Sequence, residues 1–333
     1  MPPTFAPKVS AFLMSNPLLI FLVLMVVFFH VTTGTQLTWG NLRSVLLDSA
    51  LIAIVAIPGA MLIIAGYIDL SVGSTLALGG VIAGLIVDGG GGNPFLAVIA
   101  AVGVGALIGL VNGTVSVGFG FSAFVTTLGT LTAVRGIALL VSPYPSKNFG
   151  DAFGFLGLGI VAGIPVAIWI AILAFFVAAI YMYLMPGGRH LYAIGVNKEA
   201  AFLSGVNIKR TPYVLYIVSG ASAGLAGAIY AARLNSAPAG QLGTGFELIV
   251  LTAILLGGVS LLGGEGTMFG VLTGVLFLGL LGNGLTLIGV ASFWQNVASG
   301  VALILAIGLS VVTHKLRGIF QNRENRNLTT TVN

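Results

Sequence analysis

The chain has 333 residues, of which 57% are hydrophobic and only 6% are charged, with a net charge of +5 and no cysteine. Soluble domains contain about 25% charged residues, so this composition excludes an ordinary soluble protein and indicates an all-α polytopic membrane protein. The absence of cysteine excludes disulfides, thiol nucleophiles and cysteine-based metal sites, and the small positive charge suits control of topology rather than nucleic-acid binding.

Apolar runs of about 20 residues, the length that crosses a bilayer as a helix, predict about ten transmembrane helices. In chain order these runs fall at about 17–34, 43–65, 71–87, 94–117, 121–142, 164–185, 212–232, 246–262, 267–289 and 293–313. Asn93–Pro94 and Thr211–Pro212 each place a capping side chain before a proline, which is typical of a helix start. No small-residue cleavage pattern follows the first run, so it is interpreted as a retained span rather than a signal peptide.

Basic residues predict the orientation of these spans. An even number of spans places both termini on one side, where loops and tails hold nine lysines and arginines against three on the other side. The positive-inside rule then makes the first side cytoplasmic. We expect a cytoplasmic N-terminal segment 1–16, a transmembrane domain 17–313 with a cytoplasmic loop 186–211, and a cytoplasmic basic tail 314–333.

Two glycine-rich interruptions, near 66–73 and 257–266, divide long apolar stretches in the two halves of the chain. Paired interruptions are typical of transport folds built from an internal repeat, with the pathway near the breaks. The alternative is that glycine-rich membrane sequences resemble one another by composition. Close helix packing, and possible dimer formation, is predicted where glycines recur at every fourth position, as in Gly105/Gly109/Gly113, Gly220/Gly224 and Gly266/Gly270/Gly274.

Motifs of catalysis are missing from the sequence. No glycine-rich loop closes with Gly-Lys-Ser or Gly-Lys-Thr, so the chain has no recognisable means of hydrolysing nucleotide. The three histidines have no zinc-ligand spacing, and neither Gly-x-Ser-x-Gly nor His-Glu-x-x-His occurs. We therefore predict that the chain is not an enzyme and has no catalytic residue, metal site or cofactor of its own.

Four charged residues fall at predicted membrane depth, namely Asp48, Asp69, Arg135 and Glu247. A charge there is expensive and normally faces an aqueous cavity or a partner. Asp69 lies in the first interruption, where it can serve a polar pathway or simply cap the following helix. Arg135 is expected to pair with a carboxylate inside the bundle, and Glu247 can cap the helix that follows Gly245.

Neutral polar side chains give further candidates for a translocation pathway, because they can hydrogen-bond to a polyol. Together with Asp69 these candidates are Ser71, Asn112, Thr126, Thr127, Asn235 and Asn283. The alternative for each is a hydrogen bond between helices. Few acidic residues lie in mid-helix, which disfavours a carrier driven by protons or sodium ions.

The loop 186–211 is the one long polar segment between apolar runs. Asn197 can cap a short helix with Glu199 in its first turn, and Gly205 suits a left-handed helix end. Ala200, Ala201 and Ser204 predict a small-residue surface that fits a groove of another protein. The alternative is a plain linker whose basic residues only fix orientation.

Residues Gly66–Gly73, Ala193–Val206, Ala231–Ser236 and Leu256–Gly264 resemble, in order and spacing, the ribose/xylose-type ABC sugar permease family. The resemblance extends from about Leu42 to Val312. It departs modestly at Val196, where the family often has glycine, and at Glu265, where lysine is common.

The resemblance implies a homodimeric permease in the bacterial inner membrane, with alternating access in a bilayer of membrane lipid. A cytoplasmic ABC ATPase, present as two copies or one fused chain, would bind ATP and magnesium. A sugar-binding protein would deliver a sugar or sugar-like polyol from outside. The segment contacting the ATPase would include Gly195, Asn197, Glu199, Ala200, Ala201, Ser204 and Gly205. A self-sufficient polyol channel or facilitator is the alternative, and it would need no such partner.

Overall fold

A computed structural model describes residues 17–291, 293–295, 297–306 and 308 of the chain. The predicted segment 1–16, the basic tail 314–333 and the end of the tenth predicted run lie outside these residues. The described part consists mainly of helices connected by short loops, with two small pairs of strands.

The helices follow one another along the chain, and the last described residues, 293–295 and 297–306, are helical too. The helices are α1 (Pro17–Thr33), α2 (Trp39–Ile64), α3 (Val72–Val87), α4 (Pro94–Gly113), α5 (Ala123–Val141), α6 (Gly150–Leu158), α7 (Val166–Leu184), α8 (Pro186–Val196), α9 (Lys198–Leu203), α10 (Arg210–Leu234), α11 (Phe246–Leu256) and α12 (Met268–Leu287). A 3₁₀ turn, Asp88–Gly90, follows α3, and a π-helical turn, Thr114–Gly118, follows α4.

Four two-residue strands form two antiparallel pairs among the described residues. Strand β1 (Ser146–Lys147) pairs with β4 (Ser236–Ala237), and β2 (Ile160–Val161) pairs with β3 (Ile164–Pro165). The first pair joins the loop after α5 to the loop after α10, and it therefore fixes the ends of two helices that are distant in sequence.

Seven of the described helices are long and apolar enough to cross a membrane, namely α2, α3, α4, α5, α7, α10 and α12. Each coincides with a predicted run. The eighth predicted run, 246–262, is wrong as a continuous span, because α11 ends at Leu256. Gly258, Gly263 and Gly264 have φ values of 83°, 84° and 72°, which a helix cannot accommodate. With 11 residues, α11 is about 16 Å long, so the total of about ten spans stays a prediction.

Glycine contacts between helices confirm the predicted close packing. A Cβ atom at Gly105 of α4 would overlap the carbonyl oxygen of Gly220 in α10, and one at Gly270 would overlap that of Gly257. Small residues permit such backbone approach. Because all three glycine series face helices or loops of the same chain, they do not by themselves indicate a dimer.

Two ends of the helical bundle can be distinguished by their contacts. Helices α8 and α9 and both interruptions lie at one end, where the Gly264 amide donates to the Ile64 carbonyl at 2.8 Å. The strand pairs, α6 and the start of α2 lie at the other end, which we call the β-strand end. The two interruptions thus contact each other, and the internal repeat stays a prediction.

Helix caps show where local sequence decides structure. Asn93 caps α4 as predicted, since its side chain accepts from the amides of Phe95 and Leu96 at 2.9 and 3.3 Å. The predicted cap at Thr211 is wrong, because α10 already begins at Arg210. Asn207 occupies that role instead by accepting from the amide of Arg210 at 2.9 Å.

Candidate functional site

The α8–α9 segment has the local geometry that the sequence predicts. The Asn197 side chain accepts from the amide of Ala200 at 2.9 Å and so caps α9. Glu199 lies in the first turn, where a negative charge is favourable. Gly205 follows with φ 80°, the left-handed conformation that favours glycine at a helix end. The segment therefore consists of two well-defined helices rather than an irregular linker.

This segment packs against both interruptions of the apolar sequence. A Cβ atom at Gly195 would overlap the carbonyl oxygen of Ile64 and the amide nitrogen of Gly264, so only glycine fits between them. The Tyr192 hydroxyl donates to the carbonyl of Gly266 at 2.7 Å. A displacement of the α8–α9 segment would consequently reach both interruptions directly.

A cation also ties α9 to the first interruption. The Lys198 ammonium group donates to the Tyr67 hydroxyl at 2.9 Å and lies 5.2 Å from the centre of the Tyr67 ring. The Tyr67 ring in turn makes an edge contact with Tyr216 of α10. The basic residue predicted to set orientation therefore also has a specific structural contact.

The exposed face of the segment differs from the predicted small-residue surface. Ala200 and Ser204 are exposed, but Ala201 is buried within the chain at 5% exposure. The exposed apolar side chains are Val196, Phe202 and Leu203, which are 73%, 63% and 84% exposed. Helical geometry explains the correction, because Ala201 faces inward between more exposed neighbours. The free surface around α9 thus includes large apolar side chains beside the exposed Ala200 and Ser204.

A buried polar network surrounds Asp69 in the first interruption. One carboxylate oxygen accepts from the Ser71 amide at 3.0 Å and from the Ser71 hydroxyl at 2.7 Å. The other accepts from the Ser219 hydroxyl of α10 at 2.8 Å. Asp69 therefore turns the chain into α3, as a cap would, and also connects the interruption to α10.

The network continues from Ser71 towards α5. The Asn112 amide nitrogen of α4 donates to the Ser71 hydroxyl at 2.9 Å, and the Thr130 hydroxyl donates to the Asn112 oxygen at 2.7 Å. Asp69, Ser71 and Asn112 are thus brought together as one chain of hydrogen bonds. Burial raises the pKa of Asp69, while the hydrogen bonds from Ser71 and Ser219 act in the opposite direction.

The network ends at an open groove of about 490 Å³ along α5. Thr126 and Thr130, one helical turn apart, both line this groove. The Thr126 hydroxyl is buried and has no hydrogen-bond partner among the described residues. Thr127 points elsewhere, since it is buried and donates to the carbonyl of Ala123 in its own helix.

Two other pathway candidates lie apart from this network. Asn235 ends α10 at the β-strand end with φ 49°, and its side chain accepts from the Phe149 amide at 2.8 Å. Asn283 and Asn41 exchange two amide hydrogen bonds of 3.0 and 2.8 Å between α12 and α2. Both side chains hold helices and loops together where they are.

Arg135 has different partners from those the sequence predicts. Its guanidinium donates to the carbonyls of Ala239, Leu242 and Gly243 at 3.1, 2.6 and 3.1 Å. Among the described residues it makes no direct ion pair with a carboxylate, but Glu247 of α11 is near enough to interact with it electrostatically. The expected pairing is thus present only as this longer-range attraction, and carbonyl oxygens are the direct partners. The ion pair in the described part of the chain joins Arg233 to Asp48. Arg135 therefore fastens the loop before α11 to α5.

Sequence reasoning missed two members of the network, Ser219 and Thr130. Ser219 sits one residue before Gly220 in a helix of small residues, and Thr130 follows Thr126 by four positions on α5. These spacings were the only sequence signal for the two residues. The signal is weak, because a hydroxyl in an apolar helix more often bonds to its own backbone.

Long apolar helices and a buried chain of polar side chains that reaches a groove are typical of a membrane transport protein. Residues 41–307 match the family described as the permease component of the branched-chain amino acid transport system. The chain belongs to this family of transporter permease components.

Three relatives show which members of the family the chain is similar to. The ribose import permease protein RbsC of Escherichia coli (strain K12) is 38% identical over 90% of this chain and 94% of the relative. The D-allose transport system permease protein AlsC of the same strain is 35% identical over 88% and 90%. The autoinducer 2 import system permease protein LsrD of Photorhabdus temperata is 32% identical over 93% and 96%. The resemblance to sugar ABC permeases is confirmed by these matches, and no solved structure matches the chain.

Proposed function

We propose that this chain is the transmembrane permease subunit of an ABC importer for a sugar or sugar-like polyol, in the bacterial inner membrane. The seven helices of membrane-spanning length and the similarity to import permeases for ribose, D-allose and autoinducer 2 support this function. Such a subunit moves the substrate but leaves ATP hydrolysis to a partner, which agrees with the lack of an ATPase motif in the sequence.

The observation that carries the proposal is the wedge of Gly195 between the two interruptions. A partner that pulls on α9 would move the carbonyl of Ile64 and the amide of Gly264 together. The Ile64 end of α2 leads directly into the Asp69 network. Motion at the α8–α9 end would therefore alter the polar chain without any flexible linker in between.

The partner at this end is an ABC ATPase, which binds ATP and magnesium, while this chain binds no cofactor itself. The exposed Val196, Phe202 and Leu203 form an apolar surface that a groove of the ATPase would cover. The helix that presents this surface is shaped by its cap, its first turn and its flanking glycines, namely Gly195, Asn197, Glu199, Ala200, Ser204 and Gly205. Ala201 supports the helix from inside.

Substrate would pass along the α5 groove, where Thr126 and Thr130 line the wall. The buried Asp69, Ser71 and Asn112 lie behind this wall and reach it through the hydrogen bond from Thr130 to Asn112. The large exposed surface of α5 suits a second copy of the chain, so that two grooves would face each other in a homodimer. The β-strand end would receive the sugar-binding protein. The α8–α9 end and both termini would be cytoplasmic, which the distribution of basic residues favours.

The test replaces the apolar docking surface with charge. Leu203→Glu and Phe202→Glu are expected to leave the protein in the membrane but to abolish ATPase co-purification and sugar uptake, because a carboxylate would be desolvated in the groove. Tyr144→Glu is the control, since Tyr144 is 83% exposed in the loop between α5 and β1. Uptake that persists without the ATPase would instead indicate a self-sufficient facilitator.

A further inference from the structure

A cavity of about 500 Å³ forms a slot between α2, α7 and α12. It shares no lining residue with the Asp69 network or the α5 groove. Its walls are apolar except for Arg43 and Ser49. A polyol would leave its hydroxyl groups without partners there, so the slot is unsuited to the transported substrate.

The slot runs lengthwise along the bundle. On α2 its lining residues recur every three or four positions and form one helical stripe, which includes Trp39, Arg43, Leu46, Ala50, Ala53 and Ile57. From Trp39 to Ile57 this stripe extends about 27 Å, close to the thickness of a bilayer's hydrocarbon core. The small side chains of Ser49 and Ala50 lie near mid-length and make room there. The shape is that of a groove for a long apolar chain.

The only cation of the slot lies near one end. Arg43 follows Trp39 by one turn, at the start of α2, where interfacial tryptophans and snorkelling arginines are typical. Its guanidinium has no hydrogen bond or ion pair with any residue that the structure describes. The Ser49 hydroxyl, 3% exposed and further along the slot, likewise lacks a partner among those residues.

We propose that this slot binds an anionic phospholipid, with an acyl chain along the α2 stripe and the headgroup phosphate on Arg43. Guanidinium groups bind phosphate oxygens in a bidentate manner, and the apolar walls match a hydrocarbon chain. Because the slot lies between helices of membrane-spanning length, the surrounding bilayer supplies this ligand at high concentration. The lipid would fill a gap between α7 and α12, two helices whose mutual packing is sparse, and so would stabilise the bundle.

Native mass spectrometry of the purified full chain with added lipid tests the proposal. Phosphatidylglycerol should be retained several-fold better than phosphatidylcholine, and inorganic phosphate should not displace it. Arg43→Gln should weaken phosphatidylglycerol binding about fivefold, the factor that one cation near an anionic lipid surface contributes, and remove the preference between the two lipids. Lys147→Gln, which removes another basic side chain at the β-strand end, should change neither.

A second pair of variants tests the acyl-chain groove without altering the charge. Leu46→Trp extends into the slot and should reduce retention of both lipids, whereas Leu173→Trp, on the exposed face of α7 outside the slot, should not. Equal retention of both lipids by the unaltered chain, or unchanged binding in Arg43→Gln and Leu46→Trp, would overturn the proposal. A lipid-free dimer that Leu46→Trp dissociates would overturn it too, since a second copy would then cover the slot.

Discussion

Asp69 combines a structural and an electrostatic role that one substitution can separate. Asn accepts hydrogen bonds as Asp does and caps helices about equally well, but it has no charge. We expect Asp69→Asn to fold, to bind the ATPase and to retain transport. Asp69→Leu should lower the yield of protein in the membrane, because the buried hydroxyl of Ser219 and the Ser71 amide would lose their acceptor, at about 1–3 kcal/mol for each unsatisfied group.

The pH dependence of the melting temperature is an independent test of how ionisation of Asp69 affects stability. Since burial raises the folded-state pKa of Asp69 above its unfolded value of about 3.9, its contribution to stability is greatest at low pH and declines as pH rises through the folded pKa. Asp69→Asn lacks this decline. In detergent, its melting temperature should match the unaltered chain near pH 4 and equal or exceed it at pH 7. A well-expressed, ATPase-bound Asp69→Asn that fails to transport would assign the charge to the mechanism.

Sequence reasoning identifies Asp69 but not its partners, and the reason is physical. A carboxylate in an apolar stretch must have a special environment, so it is conspicuous. Ser219 and Thr130 become its network only because α10 and α5 fold against α3 and α4. Nothing in the local sequence distinguishes them from hydroxyls that bond to their own helix, as Thr127 does.

At the scale of elements, the contact between α4 and α10 depends on glycine. Gly105→Ala would drive a methyl group into the carbonyl of Gly220, so the helices would have to separate, at about 1–3 kcal/mol of stability. Gly103→Ala is a matched control on the same helix, because a Cβ atom there meets nothing within 4 Å. Thermal unfolding in detergent should show a clear loss for Gly105→Ala and none for Gly103→Ala; equal melting temperatures would contradict the packing.

The position of Gly195 between Ile64 and Gly264 predicts an effect on transport rather than on ATPase binding. Gly195→Ala leaves the exposed face of α9 intact but forces the α8–α9 segment away from Ile64 and Gly264. We expect the ATPase to co-purify normally while sugar uptake falls at least severalfold. Gly40→Ala, in open space at the start of α2, should affect neither. Loss of ATPase binding in Gly195→Ala would show that the wedge shapes the docking surface instead of transmitting motion.

Elements whose boundaries depend on neighbouring residues were predictable, and faces that depend on tertiary packing were not. Asn93 and Asn197 cap the predicted helices because a cap is a contact over three residues. At Thr211 the same reasoning is wrong, because the Asn207 side chain accepts from the amide of Arg210 and α10 therefore begins before Thr211. The sequence predicts Ala201 on a docking surface, but a small residue suits a helix core equally well, and only packing decides between the two.

For the whole molecule, the distribution of basic residues predicts sidedness, which cysteine labelling can check in this cysteine-free chain. A cysteine at Asn197 or Asn327 should react only from the cytoplasm. A cysteine at Tyr144, which is 83% exposed, should react with an impermeant reagent from outside. The neighbouring Ser146 is less suitable for labelling, because it lies in β1 and is only 6% exposed. Reaction of Asn197 and Tyr144 cysteines from the same side would refute the proposed topology.

The class of the protein is the part most fully determined by composition, since 57% hydrophobic residues cannot be buried in a soluble domain of this length. The number of spans is harder to predict, because an apolar run does not reveal where glycines will end a helix. Residues 246–262 show this limit: the run is continuous in hydropathy but broken by left-handed glycines after Leu256.

The position of the α8–α9 segment between both interruptions also has a thermodynamic consequence. A partner bound at the exposed face of α9 and a ligand bound within the bundle are coupled if both shift the arrangement around Ile64 and Gly264. Each must then change the affinity for the other by the same factor. Sugar bound beside the Asp69 network would thus be felt as tighter or weaker ATPase attachment. Substrate binding and ATPase binding would thus be coupled through the backbone contact at Gly195.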